Sequence, residues 1–192
     1  MGSRYESLVF DAIPAGCTAA LDVGCGNGEL TRELHRRGVP SVTGLDVDEP
    51  CIRRCRTHPE AGDIRYVVGD LRTAALSPAG FDLVSAVASL HHMEAREGLL
   101  RLRGLVAPGG VLVVVGLARP DFPRDLPVEI AAQFTRLAGR HRTEPSAPTV
   151  WPPPERYSTM RRLATELLPG ARWRRHLRWR YSIRWVNPAP NG

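Results

Sequence analysis

The ten residues from Leu21 to Leu30, LDVGCGNGEL, join an apolar run to a turn with glycine at three alternate positions, and then to a helix-forming stretch. Gly24, Gly26 and Gly28 let the backbone turn through conformations closed to other residues and present no Cβ to an approaching ligand. Between a buried strand and a helix N-terminus, such a turn reads as nucleotide-binding. The dinucleotide fingerprint is G-x-G-x-x-G/A. Here the third glycine comes one place early, and Glu29 stands where the small residue should be.

Further apolar runs end in acids at regular intervals. Val42 to Asp46 reads as a second strand, and Asp46 follows Gly24 by about 22 residues, near the separation at which an acid accepts from ribose hydroxyls. Its two oxygens can accept from two vicinal hydroxyls at once. Asp48 reads as a helix N-cap, with Glu49 and Pro50 in the first turn. Arg65 to Leu71 is a third strand carrying Asp70 near its end. Phe81 to Ser89 is a fourth, and Val111 to Leu117 a fifth, introduced by Ala107-Pro108-Gly109-Gly110.

Asp22, two residues before the first glycine, completes a D/E-x-G-x-G-x-G pattern. With the Phe81-Asp82-Leu83-Val84 opening of the fourth strand and the Pro-Gly-Gly turn before the fifth, residues 21–117 resemble the class I S-adenosylmethionine-dependent methyltransferases. The resemblance implies an α/β, Rossmann-like, doubly wound seven-stranded sheet, mostly parallel with an antiparallel C-terminal strand pair. It implies S-adenosylmethionine as cofactor, leaving as S-adenosylhomocysteine. On that reading the backbone of Gly24, Cys25, Gly26, Asn27 and Gly28 cradles the cofactor, and Asp22 holds its amino-acid end. Asp46 and Val47 flank the ribose, Asp70 takes the adenine amino group, the Leu71 amide meets a ring nitrogen, and Ser89 lines the same site.

At 192 residues and 43% hydrophobic content the chain has material for one core, so residues 1–192 are expected to form a single domain. Within it, 18–117 would be the cofactor-binding core, 1–17 and 118–168 the substrate lid, and 171–187 the strand pair. The N-terminal residues lack a basic stretch followed by an apolar one, and no run reaches the ~18 apolar residues of a membrane span. No membrane association is expected. Cysteines at 17, 25, 51 and 55 are scattered, consistent with reduced thiols and a cytoplasmic location. Cys51 and Cys55 lie one helical turn apart. They read as helix-face packing, since a metal site needs further ligands, and no metal is expected.

All 26 basic side chains are arginine. The absence of lysine excludes a phosphate loop ending in Lys, a Schiff base on pyridoxal phosphate, a Tyr-Lys reductase pair and the lysine-containing tetrad of ribose 2′-O-methyltransferases. Six arginines and no acid fall between Ala171 and Gly192. Arg172, Arg174, His176, Arg178, Arg180 and Arg184 alternate with Trp173, Leu177, Trp179, Tyr181, Ile183 and Trp185, the pattern of half-buried strands. A solvated outer face explains it better than a nucleic-acid surface. Helices are expected over Gly28 to Arg37, Pro50 to Arg56, Glu94 to Val106, Val128 to Arg140 and Arg156 to Leu168.

Chemistry in the resembled family takes place at the carboxyl ends of the strands, so Ser89-Leu90-His91-His92-Met93 carries the candidate catalytic groups. The N/D-P-P-Y/F motif of amino-methyltransferases is absent. Two histidines offer bases near neutral pH, suited to an acceptor hydroxyl or acidic carbon, with His91 marginally preferred on position. A helix cap or packing role is the structural alternative. Tyr5, Trp151 and Tyr157 are candidate substrate contacts from the lid segments. The favoured reading is methyl transfer to a small molecule. An RNA methyltransferase and a non-catalytic S-adenosylmethionine-binding module are the alternatives, and the glycine spacing counts against a nicotinamide oxidoreductase. Oligomeric state is open.

Overall fold

The apolar runs of the sequence become strands because each finds helices for both of its faces. A computed structural model describes residues 5–122, 152–177 and 179–189. Five strands, β1 (Ala19–Val23), β2 (Ser41–Asp46), β3 (Arg65–Val68), β4 (Phe81–Val87) and β5 (Val106–Leu117), run parallel. The last two, β6 (Arg172–Arg175) and β7 (Arg180–Val186), are antiparallel to each other, and β7 is antiparallel to β5. The order is β3-β2-β1-β4-β5-β7-β6, so the sheet reverses direction of growth between β1 and β4. In open α/β sheets a ligand crevice forms at that reversal, beyond the carboxyl ends of the strands.

Helices α4 (Ala95–Leu105) and α5 (Tyr157–Leu167) cover one face, burying Leu99, Leu102, Met160 and Leu163 against Leu21, Val84, Leu112 and Ile183. The other face packs Val9 and Ala12, from α1 (Ser7–Phe10) and just beyond it, with Leu30 and Leu34 of α2 (Glu29–Arg36) on Ala20, Leu83 and Val113. Val111 to Val115 are all buried because alternate residues serve opposite faces. Helix α3 (Glu49–Arg56) closes the β2–β3 edge with Ile52 and Cys55 on Tyr66. Asp48 caps it by accepting from the Cys51 amide. No helix among the described residues is long and apolar enough to cross a membrane.

Three details differ from the sequence reading. The fifth strand begins at Val106, five residues early: Phe81 pairs with Val106 and Leu83 with Val111, so residues 107–110 loop out. Asn187 holds that loop, accepting from the Gly109 amide and donating to Val106 and Gly110 carbonyls. The alternation of the arginine tail breaks at Arg175, which falls on the apolar parity and places its guanidinium 4.3 Å over the Tyr157 ring. It is also interrupted at the hairpin turn, where Trp179 takes φ +61° and Leu177 is 44% exposed. The helix expected over 128–140 lies outside the described residues.

Candidate functional site

All three loop glycines adopt positive φ: +73° at Gly24, +52° at Gly26 and +73° at Gly28. Gly24 is further constrained by a neighbour, since a Cβ there would overlap that of Ser89. Ser89 reaches it because Ala88, directly after β4, takes the left-handed φ +55°, unusual for a residue with a Cβ. The ends of β1 and β4 are thereby in van der Waals contact at the point where strand order reverses. Beneath them lies a crevice of about 230 Å³ lined by Glu6, Asp22, Gly24, Cys25, Gly26, Asn27, Glu29, Leu30 and Val87. The Ser89 hydroxyl is buried beside it with no hydrogen-bond partner among the described residues.

Asp22 is 2% exposed, and its two oxygens accept from the Thr31 hydroxyl at 2.8 Å and the Ser85 hydroxyl at 3.1 Å. Burial outweighs those bonds and raises its pKa to about 6. Asp46, at the end of β2, accepts from the Gly26 amide at 2.8 Å and the Asp48 amide at 2.9 Å, which ties the second acid to the glycine loop. Asp70 follows β3 and is gripped by Arg72, whose backbone N–H, Nε–H and Nη2–H donate to it. Those bonds lower its pKa to about 2. Leu71 is buried beside it, whereas Val47 is 68% exposed at the end of β2. Burial pushes the Cys25 thiol up, so it is not a thiolate nucleophile. Asn27 turns its side-chain oxygen toward Cys51 and Arg54 of α3.

The histidine pair forms a short 3-10 turn, Leu90–His92, with ring centroids 4.1 Å apart. His91 is the inner one. It is 7% exposed, neither ring nitrogen has a partner among the described residues, and burial, His92 and Arg180 lower its pKa to about 4. It borders a cavity of about 10 Å³, shared with Glu155, Tyr181 and Met160. His92 is exposed. Neither ring caps the next helix: Glu94 does, its carboxylate accepting from the Arg96 and Glu97 amides.

The substrate candidates separate. Tyr157 is 4% exposed, packs edge-on to Trp173, and donates its hydroxyl to the Arg180 carbonyl. It faces a groove of about 700 Å³ that shares no described residue with the crevice. Tyr5 lies edge-on to His176, with the Arg180 guanidinium 4.7 Å from its ring centroid. Trp151 lies outside the described residues.

Several lining residues carried no sequence signal. Glu6 and Val87 reach the crevice only through tertiary packing. Arg72 could have been found, since an arginine two residues after a strand-end acid is within reach of it. The chemistry present fits a nucleoside with an amino-acid tail: a glycine-lined crevice with a buried acid in its wall, a second acid bonded to the glycine loop, and a buried hydroxyl against Gly24 that has no partner among the described residues.

Comparisons with known proteins agree with that geometry. Residues 20–110 match the family model described as a methyltransferase domain. An uncharacterized methyltransferase of Mycobacterium tuberculosis is 41% identical over 188 residues, covering 96% of this chain and 95% of the relative. Among solved structures, a Pyrococcus horikoshii protein superposes with a TM-score of 0.68 at 20% identity, covering 95% of this chain and 87% of that one. An S-adenosylmethionine-dependent methyltransferase from Mesorhizobium loti gives 0.55 at 28% identity, covering 61% and 55%. The chain thus belongs to the S-adenosylmethionine-dependent methyltransferase family.

Proposed function

We propose that this protein binds S-adenosylmethionine in the crevice between the β1 and β4 ends and directs its methyl group to a small-molecule acceptor, with a hydroxyl oxygen as the favoured nucleophile. The observation that carries this reading is the contact of Gly24 with Ser89, which brings the glycine loop and the strand-four turn together over the buried Asp22. Asp22 would hold the amino-acid end, Asp46 the ribose hydroxyls, and the Asp70–Leu71 turn the adenine. Cys25, Gly26 and Asn27 contribute backbone and shape. When bound, the cofactor supplies a methyl group already activated by its sulfonium charge.

The chain's own work is to align the acceptor and exclude water. A hydroxyl acceptor must also lose its proton. We assign that step to His92, because His91, buried and with its pKa lowered to about 4, is a weak base at neutral pH. His91 then supports the ring of His92 from beneath, at 4.1 Å. Among the described residues the crevice is lined by acids, glycines, Asn27 and apolar groups with no arginine, so a small molecule suits it better than RNA.

Calorimetry with S-adenosylhomocysteine tests the first step. One-to-one binding that weakens by ~1.5–3 kcal/mol in Asp46→Ala, the loss of charge-assisted hydrogen bonds, is expected. Binding indifferent to Asp46 would sink the assignment. A screen of hydroxylated acceptors for cofactor turnover would then separate the histidines: His92→Ala should lower kcat by ~10²–10⁴-fold with cofactor affinity intact.

A further inference from the structure

Arg180 differs from the other arginines of the C-terminal strands in where the sheet puts it. It opens β7 opposite Leu117, the last residue of β5, at the carboxyl edge where the histidine turn also lies. The residue is half-buried, its guanidinium stands 4.7 Å over the Tyr5 ring centroid, and its charge is felt at His91. Elsewhere arginines find carboxylates: Arg36 and Arg37 pair with Glu33, Arg53 with Glu49, Arg72 with Asp70. Arg180 has no carboxylate within 4 Å among the described residues. Arg172, Arg174 and Arg184 also lack one among the described residues, but all three are exposed.

A half-buried cation without a counter-charge is costly, and one aromatic contact offsets only part of that cost. Stacking on Tyr5 uses the guanidinium's face. The N–H groups lie in its plane and remain suited to a bidentate carboxylate. We propose that Arg180, steadied by Tyr5, recognises a carboxylate on the methyl acceptor, so that the substrate class is a small organic acid. This deepens the methyltransferase reading of the same site and rests on it.

The test compares matched acids and amides on protein saturated with S-adenosylhomocysteine: 4-hydroxybenzoate against 4-hydroxybenzamide, and succinate against succinamide. Binding is read by calorimetry in the wild type, Arg180→Met, Arg180→Lys and the outer-face control Arg172→Met, each checked for an unchanged thermal transition. The expected result is that an acid binds at least ~10-fold more tightly than its amide. That preference should disappear in Arg180→Met, survive in part in Arg180→Lys and be untouched in Arg172→Met. S-adenosylhomocysteine affinity should stay constant throughout. Equal binding of acids and amides, binding of neither, or a preference that survives Arg180→Met overturns the proposal. Failure of the wild type to bind S-adenosylhomocysteine is a different result and overturns the methyltransferase reading itself. If Arg180→Met does not fold, Arg180→Lys and Tyr5→Leu decide by the same acid-to-amide ratio.

Discussion

The two sides of the carboxyl edge are built by different means. On the β1–β4 side, Gly24, Asp22 and Asp46 act through backbone shape and through bonds to their own loop, as when Asp46 accepts from the Gly26 amide. On the β5–β7 side, Arg180 stacks on Tyr5 and acts electrostatically on His91, which shares a small cavity with Glu155, so four separate parts of the chain meet there. The first kind of site is a local property of strand, turn and helix. The second exists only once the sheet has closed, and small changes in packing can remodel it without disturbing the first. That contrast allows one cofactor geometry to coexist with a freely varying acceptor in one fold.

Substitution at Gly24 would break the comparison most violently. Gly24→Ala combines a left-handed residue with an overlap on Ser89, so a loss of about 2–4 kcal/mol in stability is expected together with at least ~100-fold weaker S-adenosylhomocysteine binding. Gly26→Ala faces open space at φ +52° and should cost stability only about 1–2 kcal/mol. Denaturant melts and calorimetry on the two variants separate strain from occlusion of the crevice. If both behave alike, contact between the β1 and β4 turns is not what shapes the site.

Asp22 supplies the next largest effect, with opposite signs for stability and binding. Its pKa is raised to about 6, so in the folded protein it holds its proton to a higher pH than in the unfolded chain. Between the usual carboxylate value and pH 6 the unfolded state has already released its proton. Stability therefore falls as pH rises through that window and stays lower above it. Asp22→Asn removes the ionisation while the Thr31 and Ser85 hydroxyls can reorient to serve an amide. It should stabilise the cofactor-free protein at pH 7.5 by up to about 3 kcal/mol, and weaken S-adenosylhomocysteine binding. Thermal unfolding at pH 5 and pH 7.5 checks this: the gain should shrink at the lower pH, and a gain equal at both would show that the folded acid is already ionised at pH 5, with its pKa not raised by burial.

How much of this was legible beforehand follows from the same contrast. The glycine loop, the strands and the strand-end acids were readable because their spacing is set by strand length and turn chemistry along a continuous stretch. Asp48 was readable as a cap because capping is local. Burial was not readable: sequence position favoured His91, yet packing against the turn puts His91 inside and leaves His92 exposed, the observation on which the proposed role of His92 rests. Tyr157 reads as a lid residue in the sequence for the same reason, since only the fold shows that Trp173 and Arg175 enclose it. The early start of β5 was hidden because a four-residue bulge held by Asn187 leaves no periodic signature.

Ala88 offers a smaller and cleaner perturbation at the seam between the two sides. Its φ of +55° aims Ser89 at Gly24, and glycine would take that conformation without strain. Ala88→Gly should stabilise the fold by about 0.5–1 kcal/mol, less than the full relief because glycine also gains freedom in the unfolded chain. Cofactor affinity should change by less than ~3-fold, since the Ser89 position is already fixed by its contact with Gly24. A destabilised variant in urea melts would mean that neighbouring side chains, rather than the residue's own preference, set the turn.

The outer arginines provide the smallest effect and the sharpest control for Arg180. Arg172 on the edge strand stands directly opposite Arg184, an exposed like-charge pair within one register step. Such pairs are destabilising by a few tenths of a kcal/mol, and an opposite-charge pair in the same place is favourable by a similar amount. Arg172→Glu should therefore raise stability by about 0.5 kcal/mol at low salt, with the gain fading as salt screens it. Because this pair lies on the solvated face, ligand binding at the carboxyl edge should be unaffected, in contrast to substitutions at Arg180. Were Arg172→Glu instead to weaken binding of an acidic acceptor as strongly as Arg180→Met, recognition would belong to the general positive field of the tail. The distinct placement of Arg180 at the head of β7 would then lose its meaning, and with it the division of labour between the outer face and the edge.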